Sequence, residues 1–218
     1  MKRPFLFLVA IVVAALVTGC AGKPPQPDWQ MNAHSSLERY VKAFMSGDGR
    51  VEASEFERAR TQLASTGDAG LVARAELTRC ALRVATLVFD PCDGFEKLRV
   101  DAPPAERAYA DFLAGRLSPA DGPLLPPQYR GFADGQGGAA VAAIADPLSR
   151  VIAAGVLLRT GRADPQVLSA AADTASGQGW RRAVLAWLGV QAQRAEQAGA
   201  TQEAQRIRRR MALAAGER

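Results

Sequence analysis

The chain has 218 residues, 48% of them hydrophobic and 22% charged, with a formal net charge of +5. That length buries the core of one or two domains, and 6% aromatics with few β-branched runs favours helix over sheet. With one His, His34, and three Cys, the chain lacks a His-Glu-x-x-His or Cys/His zinc pattern. A Ser-His-Asp triad would depend on that single imidazole near the N-terminus.

The first element is an export signal. Lys2 and Arg3 are positive, and Phe5 to Val17 is an unbroken apolar run. A spanning helix needs about 20 apolar residues, so the run fits a signal-peptide core rather than a permanent span. Thr18 and Gly19 supply the small residues for cleavage, and Cys20 follows them. Val17-Thr18-Gly19-Cys20 resembles the lipobox of bacterial lipoprotein precursors. The resemblance implies that residues 1–19 are removed and that Cys20 carries diacylglycerol and an N-acyl chain such as palmitate. One acyl chain holds a protein only marginally, whereas two or three anchor it stably at ~0.8 kcal/mol per buried CH₂. Ala21 stands where inner-membrane lipoproteins commonly carry Asp. The resemblance therefore implies an outer-membrane protein facing the periplasm, a compartment that disfavours nucleic acid as a partner.

Residues 20–35 carry Pro24, Pro25 and Pro27 and read as an extended tether. A helical half is expected over 36–115. Ser35 or Ser36 opens its first helix, with Glu38 in capping-box position and Leu37, Tyr40, Val41, Phe44 and Met45 on one face. Gly47 ends it, and a second helix is expected from about Ala53 to Ser65. Asp48-Gly49-Arg50-Val51 looks like half of an EF-hand loop, but Phe44 stands at its first ligand position, where Ca²⁺ needs an oxygen. Leu71 to Phe89 reads as a long helix, apolar around most of its circumference and stopped by Asp90-Pro91. A short helix around Phe95 and Leu98 follows, and then one opened by Pro103-Pro104 and closed by Gly115.

Cys80 and Cys92 are the pair that remains once Cys20 is lipidated. An oxidising periplasm favours a disulfide between them. A helix running to Phe89 would hold them too far apart, so the bond requires a sharp turn at Pro91 or an earlier helix end. Two separately buried thiols are the alternative.

Residues 116–138, rich in Pro and Gly, read as a linker loop between two halves, anchored by Leu124, Leu125, Tyr129 and Phe132. Gly135-Gln136-Gly137-Gly138 lacks the Lys-Ser/Thr of a phosphate loop. Residues 139–218 form the second half. Asp146-Pro147 and Asp164-Pro165 open helices over 147–160 and 165–176. Two more are expected over 180–198 and 201–213. Leu188, Ala192, Ala195, Gly199 and Ala204 are spaced in a way that is similar to part of a tetratricopeptide repeat. That likeness implies stacked antiparallel helical hairpins. The fold expected is all-α: an irregular bundle or a degenerate array of such hairpins.

From Gly179 to Arg218 there are eight Arg and three Glu, a net +5 on a near-neutral body. Trp180, Arg181 and Arg182, with Arg206, Arg208, Arg209 and Arg210, form the candidate surface for a partner, for peptidoglycan or for anionic lipid. The competing reading places Trp187 in the core and the arginines in solvent. Glu76, flanked by apolar residues, is the single candidate for a wall-degrading acid, against an ordinary ion pair with Arg. No cofactor, metal site or catalytic set is expected. The leading expectation is a membrane-tethered, non-catalytic helical adaptor or assembly accessory for another envelope protein.

Overall fold

A computed structural model describes residues 26–135 and 137–216. The signal sequence expected over residues 1–19, and Cys20 with its expected lipid, lie outside the described residues. Those described are all-α, without a strand among them. Five helices precede the Pro/Gly-rich region: α1 (Asp28–Ser46), α2 (Gly49–Ala64), α3 (Ala69–Ala85), α4 (Asp93–Glu96) and α5 (Pro104–Leu113). Two 3-10 turns, Pro119–Leu124 and Pro127–Phe132, lead to α6 (Gly138–Ala143), α7 (Pro147–Arg159), α8 (Pro165–Gly177), α9 (Arg181–Gln197) and α10 (Thr201–Ala215).

Asp residues start several helices, each by accepting a hydrogen bond from a backbone N–H of the first turn. Asp48 caps α2, Asp68 caps α3, Asp146 caps α7 and Asp164 caps α8. Asp48 is thus the cap of a helix that begins at Gly49, four residues before the expected Ala53. Gly47, at φ 84°, ends α1 in the left-handed region that glycine enters without strain.

Two further helix limits differ from expectation. The helix expected from Ser35 begins at Asp28, so residues 28–35 are helical rather than tether. Pro27 sits at the N-cap, and Trp29, Ala33 and Ser36 continue the buried stripe of Tyr40 toward the N-terminus. That burial outweighs the extended bias of the prolines upstream. The second difference is at α3, which ends at Ala85 rather than Phe89. Thr86 turns its hydroxyl back onto the Leu82 carbonyl, and Leu87 adopts φ 62°.

α3 and α7 form the centre. From Val151 to Leu157 every α7 residue is buried, so the helix has no solvent face. Gly155 permits this: a Cβ there would overlap the Val84 carbonyl oxygen of α3. α3 also packs on α5, and α8 packs on both α7 and α9. α9 then reaches back to α1, so the last helices touch the first.

The expected linker at 116–138 does not separate two cores. Leu125, Tyr129 and Phe132 are buried in one apolar cluster continuous from Ala33 to Ile207. Leu124, expected as a fourth anchor, is instead exposed. Helices among the described residues run from 4 to 19 residues, without the constant pair length of a tetratricopeptide array.

Candidate functional site

Cys80 and Cys92 are joined as a disulfide, with Cα atoms 5.8 Å apart. The early end of α3 makes that spacing attainable, since the chain reverses between Leu87 and Cys92. Both sulfurs are consumed structurally.

The sequence-predicted arginine surface divides in two. Trp180 is partly buried and packs on the core, while Arg181 is exposed beside Gly47. Arg182 donates to Glu52 Oε2 at 2.9 Å and covers the Phe44 ring with its guanidinium 4.2 Å from the centroid. Trp187 is fully buried, and its Nε1 donates to the Ala85 carbonyl at 3.0 Å. That carbonyl is one of the acceptors left over at the end of α3. Arg182 and Trp187 therefore dock α9 onto α1 and α3.

The remaining four arginines lie on α10. Arg206 pairs with Glu203 at 2.7 Å, Arg208 with Glu196 at 2.5 Å, and Arg210 approaches Asp173 at 3.9 Å. The Arg206 hydrogen bond holds the Glu203 carboxyl below its ordinary range. Arg209 is exposed and makes no ion pair among the described residues. Among the described residues no hydrogen bond or ion pair joins these four to the cluster at the start of α9.

Glu76 is 2% exposed and held between Arg60 at 3.0 Å and Arg79 at 2.6 Å. Gly94 lies so close over it that a Cβ there would overlap its carboxylate. A sealed, doubly paired carboxylate is poorly placed to meet a glycan. Glu55 is similar. Arg39 and Arg58 each approach it to 3.0 Å, and the hydrogen bond from Arg39 is the main cause of its lowered pKa.

The third buried glutamate lies in a different setting. Glu106, at the start of α5, accepts from Arg74 Nε at 2.5 Å through Oε1. Its Oε2 is buried without a hydrogen-bond partner among the described residues. Both residues line an open groove of about 600 Å³ between α3, α5, α7 and the two 3-10 turns. Leu77, Ala81 and Leu82 of α3 line one side, Tyr109 of α5 another, Leu148 and Ile152 of α7 a third, and Leu124 to Pro127 a fourth. Tyr109 stacks on Tyr129 with centroids 5.7 Å apart, and burial pushes the Tyr129 hydroxyl up to about 12. Arg130 also lines the groove, positioned by its Nε bond to the Leu125 carbonyl at 3.1 Å.

None of these groove residues was singled out as a site in the sequence. Arg74 and Glu106 are 32 residues apart, so no local motif couples them. The one signal was the density of apolar residues in the Pro-rich region. Among the described residues no group of three or more His, Cys, Asp or Glu side chains gathers to hold a metal. No helix among them is long and apolar enough to cross a membrane. The chain matches no known protein family, no curated protein and no solved structure.

Proposed function

We propose that this chain is a lipid-anchored, non-catalytic binding protein of the bacterial envelope, an adaptor or assembly accessory held at the outer membrane through Cys20. The observation that carries the binding half of this reading is the groove between α3, α5 and α7, an open apolar site of about 600 Å³. Clefts of that size with apolar walls and few polar groups are where proteins hold ligands and partners. The anchoring half rests on Lys2, Arg3, the apolar run and the lipobox-like Val17-Thr18-Gly19-Cys20.

The two competing readings draw less support. Arg206 and Arg208 of the basic C-terminus already face carboxylates, which lowers the charge available to a wall polymer or anionic lipid. Glu76 is enclosed between two arginines.

Two measurements test the proposal. Replacing Cys20→Ser is expected to leave an unprocessed or soluble species in fractionated cells. Unchanged processing and membrane association would remove the anchor. A photo-crosslinking residue at the exposed Leu124 is expected to capture a discrete envelope protein in intact cells, and the same residue at exposed Leu213 is not. Equal capture at both positions would remove the groove as the working surface.

A further inference from the structure

We infer that the occupant of the groove is a single acyl chain bearing an anionic head, a fatty-acid-type amphiphile. The inference rests on the groove being the working surface proposed above, and it names the ligand chemistry.

The walls decide the tail. Their apolar part includes Leu77, Leu82, Leu124, Pro126, Pro127 and Ile152. Prolines have no N–H, and leucine and isoleucine side chains offer no hydrogen bond. An extended peptide laid on these side chains would lose water from the N–H and C=O groups turned toward them without gaining a partner there. Each such loss costs about 1–3 kcal/mol. An acyl chain has no such groups and gains from every methylene it buries, ~0.8 kcal/mol each. One cavity of about 600 Å³ lies within the range that encloses a small single-tailed ligand.

The charged part of the lining decides the head. Arg74 and Arg130 are both fixed through Nε, to Glu106 Oε1 and to the Leu125 carbonyl. Their terminal guanidinium nitrogens make no hydrogen bond or ion pair among the described residues. A guanidinium held by Nε presents its two outer nitrogens as a fork that fits a carboxylate or phosphate. Glu106 offsets one of the two positive charges, which leaves the lining at a net +1 and complementary to an anion. Of the hydroxyl and amide groups in the lining, Gln128 bonds Ser149 at 3.3 Å, Thr78 donates to the Arg74 carbonyl at 2.9 Å, and the Tyr109 and Tyr129 hydroxyls bond one another.

The test uses the purified mature chain and three probes of equal tail length below their micelle concentrations: dodecanoate, dodecanol and dodecylamine. Titration calorimetry is expected to show dodecanoate binding one to one, at least tenfold tighter than the alcohol or the amine. Arg130→Gln is expected to weaken dodecanoate roughly tenfold, the size of one charge-assisted hydrogen bond, and to leave dodecanol unchanged. Arg130→Lys is expected to recover part of the loss. Ala105→Trp, at an exposed position on the groove wall, is expected to weaken all three probes while thermal unfolding stays as in the parent. Equal affinity for the three head groups, absence of one-to-one binding, or indifference to Ala105→Trp in a folded variant would overturn the inference. Capture of a protein at Leu124 without dodecanoate binding would refute the amphiphile and leave the adaptor standing. Dodecanoate binding without any capture would do the reverse.

Discussion

The helices before the Pro-rich region and those after it share one core but are held together by different means. α1 to α5 bury three carboxylates, Glu55, Glu76 and Glu106, each under arginine. They also carry the disulfide. α7 and α8 bury almost nothing ionic; they close through Ala153, Ala154, Gly155, Ala171, Ala172 and Ala175. Small side chains bring helix axes close and gain from dense contact. Paired charges gain less, since desolvation offsets much of their attraction, but they penalise wrong registers severely. The later helices therefore supply tight packing, and the earlier ones supply geometry, including the wall on which Arg74 and Glu106 stand.

The largest expected effect is at the seam. Trp187→Ala removes a fully buried indole and its bond to Ala85, and should cost about 3–5 kcal/mol. Thermal unfolding of the variant measures it. A small loss would mean that the two regions are stable apart. Next is the disulfide. Cys80→Ser with Cys92→Ser opens a loop of 12 residues' separation and should cost about 3 kcal/mol in denaturant unfolding. The same loss should appear in the parent chain under reductant. Gly155→Ala should cost about 1–3 kcal/mol, because backbone rather than a movable side chain occupies the space. A neutral result there would show that α7 and α3 can separate, and would contradict the tight-packing half of the contrast.

Acid sharpens the comparison further. The folded state holds the Glu55 carboxyl below its ordinary value of 4.5, first through the hydrogen bond from Arg39. Its contribution is therefore fully present above the unfolded value and is lost as pH falls through the folded one. Glu55→Gln should flatten the melting curve's dependence on pH below about 4.5. Glu203 is lowered in the same direction by Arg206, but the pair stands in water on α10. Solvent and salt screen such pairs, so Glu203→Gln should leave melting unchanged across the same range. A clear loss there would show that the basic end is structurally coupled to the body.

These residues also show what the sequence could disclose. α7 and α8 were legible almost to the residue, because Asp-Pro fixes a start and Gly161 fixes a stop. The burial of Trp187 was one of two open readings and proved the correct one. The start of α1 was hidden, since three prolines upstream suggested extension and the stripe through Trp29 and Ala33 was weak on its own. The end of α3 was hidden by Val88 and Phe89, which prolong the apolar pattern past the point where Leu87 turns left-handed. The groove was least legible of all. Its two arginines acquire meaning only from partners set by tertiary packing, Glu106 and the Leu125 carbonyl.

The return of α9 to α1 has a temporal consequence. Arg182 and Glu52 are 130 positions apart, and Trp187 and Ala85 are 102 apart. Until the final third of the polypeptide is in hand, the opening helices lack the indole that closes them. Contacts so distant along the chain form slowly. Under the export proposed above, that delay would be an advantage: the nascent strand would stay linear long enough to cross a membrane.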